Sequence, residues 1–325
     1  MKNYSVRRYN SEDYAIWNDF ICKAKNATFL FHRDFMEYHS DRFVDFSLLI
    51  FENNKLISIL PANEVDSTIY SHQGLTYGGF VFSSAIKLSE VITITKLVLA
   101  YLHSNHKDYL QLKLIPSIYP AYFSEEIDYT LFLLNAKLTR RDVLSVIEMS
   151  KPNSLSISRS RCVERGVIHN LIIKEEARFE EFWSEILIPN LNKKHKVNPV
   201  HTAQEIALLH QKFPENIRHF NVYYEDKIVA GTTVFITDTV AHPQYISGNK
   251  QKNELGSLDF LYNHLISEVF NDKIYFDFGP SNEENGQKIN EGILFWKESF
   301  GARSTVQSFY EVKTSNYSLL ENIMI

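Results

Sequence analysis

The strongest constraint on the fold is an order of elements that occurs twice in the sequence. An apolar run, a short polar turn and a second apolar run begin at Phe46 and again at Phe220, the pattern of a β-hairpin. The two hairpins lie 174 positions apart, and so do Gly74 and Gly248, which end the strand that follows each hairpin. A matched offset of this kind indicates a duplicated fold.

The same elements follow both hairpins. Apolar residues recur at helical spacing over 88–102 and over 258–269, and a short apolar strand comes next at 109–115 and 274–278. This order predicts an α/β fold of the α+β type, a mixed sheet with helices on both faces. The polar, serine-rich segment 151–161 separates the halves, so we expect domains at 1–155 and 160–325.

Composition limits the class of protein. The chain has 325 residues, of which 44% are hydrophobic, enough for two cores and too many for a disordered chain. Its two cysteines, Cys22 and Cys162, cannot form a disulfide framework or a cysteine-rich zinc site, and no other metal-binding pattern occurs. The net charge of −5 argues against a nucleic-acid partner. With no signal peptide or apolar run of membrane-spanning length, we expect a cytoplasmic protein.

One segment near the C-terminus resembles a known family. Residues 290–302 resemble the closing signature of the GNAT acyltransferase fold, in which Asn290 opens a helix and Gly301 ends it. The residues that pack this helix on the sheet are expected among the apolar residues Ile293, Phe295, Trp296 and Phe300. Any amphipathic helix that ends in glycine gives a similar pattern, but here it also follows the GNAT order of elements.

GNAT enzymes bind the pyrophosphate of coenzyme A on backbone amides at a helix N-terminus. The matching segment is 249–257, in which Ser257 is placed as N-cap, although one family glycine is missing. An ordinary capped helix start explains the same residues. The resemblance implies that coenzyme A contacts Tyr245, Ile246, Ser247, Gly248, Lys250, Lys252, Gly256 and Ser257.

Over its whole length the chain resembles Fem-type tandem GNAT proteins, which implies two GNAT-like domains that share a cleft. In Fem enzymes a lysine of the C-terminal helix stabilises the oxyanion, and Lys297 matches it, although a solvated helix lysine would look the same. Fem enzymes proper use aminoacyl-tRNA, and many carry a coiled-coil arm. This chain is acidic and has no sustained heptads, which argues against a tRNA-dependent reaction. The remaining resemblance is to GNAT-type N-acyltransferases for nucleotide-linked amino sugars, found among surface-polysaccharide (lipopolysaccharide and O-antigen) genes.

Acyl transfer to an amine requires a base and an oxyanion donor. The base candidates are His72, His201, His242 and Asp277, of which His72 and Asp277 are favoured because both are predicted at strand ends facing the cleft. With 12 histidines in the chain, a structural role for any one of them stays open. Residues predicted to bind the nucleotide or sugar, each with a surface or turn position as the alternative, are Ser71, Tyr77, Gly79, Arg161, Lys194, His195, His201 and His242.

The sequence thus predicts an acyl-CoA-dependent N-acyltransferase acting on a nucleotide-linked amino sugar, with Lys297, His72 and Asp277 as catalytic residues. The first domain would bind the acceptor and the second would bind acyl-CoA. Two alternatives remain open, namely Fem-like aminoacyl or peptidyl transfer to a cell-wall precursor and a catalytically inactive binding module.

Overall fold

The computed structural model describes residues 2–151 and 155–323, and the side chains of all of them except Lys194 and His195. The chain forms two compact units. The first comprises Met1–Asp142 and Val306–Ile325, and the second comprises Val143–Thr305. The division predicted from sequence differs in two respects, because it assigns residues 143–155 to the first half and the last twenty residues to the second half.

The first unit contains four helices and eight complete strands among the described residues. Its helices are α1 Tyr14–Ile21, α2 Arg33–Met36, α3 Leu88–Ser104 and α4 Glu126–Leu133. Its strands are β1 Tyr4–Arg8, β2 Val44–Asp45, β3 Leu48–Glu52, β4 Lys55–Leu60, β5 Asn63–Val65, β6 Thr68–Tyr70, β7 Val81–Phe82 and β8 Tyr109–Lys113. The next strand, β9 Lys137–Glu148, begins in this unit and ends in the second.

The second unit contains the remaining elements. Its helices are α5 Ile157–Ile168, α6 Phe179–Phe182, α7 Ile188–His195, α8 Ala203–Lys212, α9 Lys252–Leu255, α10 Ser257–His264 and α11 Glu291–Glu298. Its strands are β10 Ile172–Glu175, β11 Ile217–Tyr224, β12 Lys227–Ile236, β13 Val240–Gly248, β14 Tyr275–Pro280, β15 Asn282–Glu283 and β16 Lys288–Ile289. The last strand, β17 Arg303–Lys313, begins here and returns to the first unit.

Each unit has its own core, and the strand pairing within each unit is mixed. In the second unit the strand order is β10, β11, β12, β13, β14, β9, and only the β13–β14 pair is parallel. In the first unit the order β17, β8, β6, β5, β2 contains the parallel pair β6–β8, and β1, β3, β4 and β7 form a separate sheet. Apolar side chains of each unit pack into one cluster. The predicted mixed α/β class is confirmed.

The predicted hairpins are present and share their fine structure. Asn53 and Asn54 link β3 to β4, and Glu225 and Asp226 link β11 to β12, all four with positive φ. Two such residues give the turn twist that matches paired strands. Each hairpin also shifts register just beyond its turn, the mark of a β-bulge. The strand pairing places each residue of β11 and β12 172 positions after its counterpart in β3 and β4.

Beyond the hairpins the offset changes, which corrects the predicted equivalence of Gly74 and Gly248. Gly248 pairs with Ala230, whose counterpart in the first unit is Ser58, and Ser58 pairs with Phe82. The counterpart of Gly248 is therefore Phe82, at an offset of 166 residues. The first unit has six additional residues here, and β13 corresponds to two short strands, β6 and β7.

Helix α5 packs tightly on the beginning of α10. Gly256, with φ of +67°, separates α9 from α10, and a Cβ at this position would lie 2.1 Å from the backbone oxygen of Cys162. One turn further along both helices, a Cβ on Gly166 would lie 2.5 Å from Cβ of Phe260. Both glycines therefore let the two backbones approach more closely than any side chain would permit.

The substitution Gly256→Ala tests this packing. We expect it to lower the free energy of unfolding by about 2–4 kcal/mol, because it adds a left-handed alanine and forces α5 away. The matched control is Gly292→Ala within α11, where a Cβ would lie 3.7 Å from Oδ1 of Asn290, an ordinary contact, and alanine favours the helix by about 1 kcal/mol. Urea denaturation followed by circular dichroism measures both. Equal stability of the two variants would contradict the close contact.

Candidate functional site

The second unit opens at its parallel strand pair. β13 and β14 are paired only at Val240–Tyr275 and Ala241–Phe276. Beyond these positions β13 continues along β12 to Gly248, whereas β14 pairs with β9 on its other side. The two strands thus diverge, and a stretch of β13 backbone is left without a strand partner on that side in the described chain. Polar side chains at this point can reach a ligand that lies between the strands.

His242 and Asp277 are the first residues after the two pairs. Nδ1 of His242 lies 2.9 Å from the backbone oxygen of Asp277 and 3.4 Å from its carboxylate oxygen Oδ2. The imidazole therefore donates Nδ1–H to the carbonyl and keeps the lone pair on Nε2. Asp277 is buried, and its Oδ1 accepts a 2.7 Å hydrogen bond from the backbone amide of Gly279. This arrangement fixes the ring of His242 in the orientation required of a proton acceptor.

Gly279 lets β14 turn at this point. Its φ is +72°, and a Cβ would lie 3.0 Å from Cε1 of His242. The bend directs two carbonyl groups, those of Gly279 and Pro280, toward α11. Nζ of Lys297 donates to both, at 2.8 and 2.7 Å. The lysine is only 3% exposed, so it is not the solvated helix residue that was the alternative.

Burial lowers the pKa of Lys297 to about 8, and the nearby carboxylate of Asp277 opposes this shift. The cause is the poor solvation of the ammonium inside the protein, which disfavours the charged form. Lys297 thus carries a positive charge at neutral pH and loses it in mildly alkaline solution. A buried ammonium beside a carboxylate is suited to stabilise negative charge on a substrate oxygen.

Helix α11 is capped as expected, and the structure shows which of its four candidate apolar residues pack on the core. The side chain of Asn290 caps the helix by accepting from the amide of Ile293. Trp296 and Phe300 pack on the core as predicted. Ile293 and Phe295 do not, because they are 44% and 63% exposed. The buried face is shifted toward Lys297, whose ammonium satisfies carbonyl groups that an apolar side chain would leave without partners.

The end of β13 is held by groups from neighbouring helices and loops. The hydroxyl of Tyr245 bonds Nδ1 of His201 and accepts from the backbone amide of the same residue. The side-chain amide of Asn190, on α7, donates to Oγ of Ser247 and to the backbone oxygen of Gly248, both at 2.8 Å. His201 and Tyr245 are buried, so these contacts support the strand rather than present a surface for a nucleotide.

The segment predicted to hold a pyrophosphate has a different structure. Residues 252–255 form helix α9, and Gly256 is the N-cap of α10, a position predicted for Ser257. Ser257 is fully buried, and its hydroxyl has no hydrogen-bond partner in the part of the chain that the structure describes. Of the basic residues before α10, Lys250 is exposed and Lys252 half-buried; Ile246, also assigned to the cofactor, is half-buried.

The N-terminus of α10 fits a pyrophosphate poorly. The carbonyl oxygen of Cys162 occupies the space beside Gly256 that a phosphate oxygen would need. In the first turn, Asp259 accepts from Arg159 and, at 2.8 Å, from Nε1 of Trp296. A carboxylate already stands where the helix dipole would favour an anion. Helix α5 would have to move before any ligand reached Ser257.

His72 lies in the first unit, just after β6, with φ of +64°. Its ring stacks on His39 with 5.1 Å between centroids and meets the edge of Phe43. Burial, followed by the effect of His39, lowers the pKa of His72 to about 3, so the ring is neutral. Only 5% of the residue is exposed, which leaves a substrate amine little access.

The other first-unit residues predicted to bind the nucleotide or sugar belong to a segment that lies along β8. Ser71 donates its amide to the carbonyl of Gln111, and its hydroxyl accepts from the amide of Lys113. Tyr77 is 2% exposed, and its hydroxyl donates to Thr28. Gly79 has φ of +93°. In the first unit these residues occupy the position beside β8. The equivalent position beside β14 in the second unit is open in the described part of the chain.

The remaining predicted contacts are basic residues of the second unit. Arg161 is exposed on α5. The backbone of Lys194 and His195 belongs to α7, and their side chains lie outside the described part of the structure. A ligand role for these three residues stays a prediction.

Sequence reasoning missed two residues that shape the site, Asn190 and Gly279. Gly279 follows a predicted buried strand and Asp277 closely, which is a local signal for a bend. Asn190 gave no signal, because the contact with Ser247 joins residues 57 positions apart.

The described residues contain neither a metal-binding cluster nor a membrane-spanning helix. No group of three or more histidine, cysteine or acidic side chains is arranged to hold a metal ion. No described helix is both long enough and apolar enough to span a bilayer.

The fold is similar to several solved structures. FemX aligns with 98% of this chain and 99% of its own, at a TM-score of 0.69 and 7% identity. L-PGS from Bacillus licheniformis aligns with 97% of this chain and 96% of its own, at a TM-score of 0.57 and 9% identity. A tandem GNAT protein from the clavulanic acid biosynthesis pathway aligns with 97% of this chain and 99% of its own, at a TM-score of 0.50 and 10% identity.

No protein-family profile and no curated protein matches the sequence. At such low identities the structural likeness establishes the fold alone. The predicted tandem GNAT-like fold, with its resemblance to Fem-type proteins, is therefore confirmed.

The buried ammonium of Lys297 can be observed directly. In a chain with ¹³C-labelled lysine ε-carbons, we expect an NMR signal that titrates near pH 8 and is lost in the Lys297→Met variant. Lys250→Met, which removes an exposed lysine of the same unit, should leave this signal in place. If Lys297→Met leaves every signal that titrates near pH 8 in place, the ammonium is solvated and our description of the site is wrong.

Proposed function

We propose that this chain is a Fem-like transferase that moves an aminoacyl or related acyl group from an activated ester to an amine. The observation that carries the proposal is the meeting of His242, Asp277 and Lys297 where β13 and β14 diverge. These three groups supply an oriented base and a cation in one place, which is what acyl transfer to an amine requires.

In the proposed reaction the amine nitrogen bonds to the ester carbonyl carbon, and Nε2 of His242 takes the proton that the nitrogen loses. The carboxylate of Asp277, 3.4 Å from Nδ1, stabilises the imidazolium that forms. When the tetrahedral intermediate collapses, the carbon–oxygen bond to the donor breaks, and the imidazolium returns its proton to the leaving oxygen. The products are an amide and the free alcohol of the donor.

Lys297 is proposed to stabilise the negative oxygen of that intermediate. Two of its three ammonium protons are donated to the carbonyls of Gly279 and Pro280, which leaves one for the substrate. Because the carbonyls hold the ammonium in place before the reaction begins, little reorganisation accompanies the appearance of charge. Such a donor contributes about 2–4 kcal/mol in the transition state.

Two observations support an ester donor over a coenzyme A thioester. The N-terminus of α10 is covered by α5 and carries Asp259, so it fits a pyrophosphate poorly. The fold also aligns with FemX and L-PGS over nearly the whole chain. In Fem-type enzymes the amino acid comes from aminoacyl-tRNA, and the acceptor is a cell-wall precursor, so an aminoacyl ester and an amine of that class are the substrates we propose. This proposal replaces the expectation, drawn from the net charge of −5, that the chain has no nucleic-acid partner.

The second candidate is acyl-CoA-dependent transfer to a nucleotide-linked amino sugar. It is favoured by the exposed Lys250 ahead of α9 and by the likeness to a tandem GNAT protein whose structure is described as being without AcCoA. Binding of the pyrophosphate at the N-terminus of α10 requires α5 to move away from Gly256.

The choice of donor is tested by presenting two classes of donor with a panel of amine acceptors, including nucleotide-linked amino sugars. One class is acyl-CoA, followed by thiol release, and the other is aminoacyl-tRNA, followed by transfer of a labelled amino acid. We expect transfer from the aminoacyl ester only. Thiol release that depends on an amino sugar would establish the second candidate, and no turnover with either class would leave an inactive binding module.

We expect Lys297→Met to lower kcat by roughly 10²–10³ with little change in donor binding, because the lost charge acts mainly in the transition state. Thermal unfolding shows whether the variant stays folded, and Lys250→Met controls for removal of a positive charge. Near-wild-type turnover of a folded Lys297→Met chain would rule out the oxyanion role.

The rate should also depend on alkaline pH. Because the pKa of Lys297 lies near 8, its proton is present below that pH and lost above it, so kcat should fall as the pH rises through about 8. In Lys297→Arg the guanidinium stays protonated, and the fall should disappear in an active variant. An identical alkaline fall in both chains would assign it to another group.

A further inference from the structure

A half-buried lysine, Lys113, lies in the first unit at the end of β8. By strand pairing Lys113 is the counterpart of Gly279, 166 positions earlier. It stands directly opposite Phe309 of β17, and the two side chains share one face of the sheet. Its Nζ donates a 2.9 Å hydrogen bond to the backbone oxygen of Leu75. The other two ammonium protons have no acceptor in residues 2–151 and 155–323.

A second cation contacts the same aromatic ring. The guanidinium carbon of Arg140 lies 4.8 Å from the centroid of Phe309, and Nζ of Lys113 lies 5.8 Å from it. Arg140 belongs to β9, where the hydroxyl of its neighbour Thr139 donates to the backbone oxygen of Phe309. Three strands thus bring two positive charges to one phenyl ring.

Only one of these cations has a carboxylate partner. Arg140 bonds both oxygens of Asp142, at 2.8 and 2.6 Å. Within the described residues, no carboxylate oxygen lies within 4 Å of Nζ of Lys113. The acidic residue nearest along β17 on this face, Glu311, accepts instead from the side chain of Gln111.

This imbalance has a measurable consequence. Burial and, after it, repulsion by Arg140 lower the pKa of Lys113 to about 8, while Asp142 acts in the opposite direction. A poorly solvated ammonium beside a guanidinium destabilises the folded chain unless an anion joins them. Arg140, Lys113 and Phe309 are each only partly buried, so a small anion can reach the pair.

We propose that Lys113 and Arg140 bind a phosphate group of a substrate. A phosphate offers oxygen atoms to the two free ammonium protons and to the outer edge of the guanidinium, and Phe309 supplies an apolar floor. The phosphate would belong to the acceptor of the proposed acyl transfer. Only this last step rests on the proposed function; the anion site rests on the geometry of the first unit.

The test uses the full chain with ¹³C-labelled lysine ε-carbons and two probes, inorganic pyrophosphate and UDP. The Lys113 signal is assigned by its loss in Lys113→Met, and its titration is followed with and without probe. We expect either probe to raise the pKa of Lys113 by about one unit or more, and we expect this increase to saturate with probe concentration. Tighter binding of UDP assigns the site to a phosphate ester, and equal or tighter binding of pyrophosphate assigns it to the free anion.

Two adjacent arginines give a matched pair of variants. Arg140→Gln removes the cation beside Lys113 and should weaken probe binding by about tenfold, the value of one charge-assisted hydrogen bond. Arg141→Gln removes the same charge from the next residue of β9, whose side chain is directed to Ser308, and should leave affinity within about twofold. No response of Lys113 to either probe, or equal affinities in the two variants, would overturn the proposal.

The acyl-transfer assay separates this proposal from the proposed function. If the chain binds the probe at Lys113 but has no transfer activity, the proposed anion site stands and its proposed role in binding the acceptor fails. Transfer activity that is unchanged by Arg140→Gln, in a chain that has lost probe binding, would assign the phosphate to a molecule other than the acceptor.

Discussion

The site depends on the pairing of β13 and β14 at only two positions. Because the strands separate after Ala241 and Phe276, His242 and Asp277 do not pair with each other, although each stays paired with the strand on its other side. Their side chains meet at this point instead. The same separation lets β14 bend at Gly279 and turn two carbonyls toward α11. These carbonyls in turn account for a buried lysine in a helix whose Ile293 and Phe295 face solvent.

The two units use the equivalent position in different ways. In the first unit, the segment after β6 lies against β8: the amide of Gly78 donates to the carbonyl of Lys113 at 2.6 Å, and the amide of Ser71 donates to Gln111. In the second unit the described residues contain no such segment, because β13 continues along β12. Duplication therefore gave one unit an open strand edge and the other a closed one, which supports different roles for the two halves.

Much of the fold could be predicted from sequence because its signals are local. The hairpins at Phe46 and Phe220 and the cap at Asn290 each need only a few neighbouring residues. Contacts between distant residues were the ones missed. The six-residue change in offset depends on which strand Gly248 pairs with, and the closed N-terminus of α10 depends on Cys162, 94 positions before Gly256. Lys297 was found only through resemblance, because its burial depends on two carbonyl groups of β14 that the local sequence of α11 does not show.

The most direct test of the account is a structure of the chain with a stable amide analogue of an aminoacyl ester. The account predicts that the analogue lies between β13 and β14 of the second unit, with its carbonyl oxygen within hydrogen-bond distance of Nζ of Lys297 and its carbonyl carbon facing Nε2 of His242. An analogue bound away from these two side chains, or a coenzyme A molecule with its pyrophosphate on α10 after displacement of α5, would contradict it.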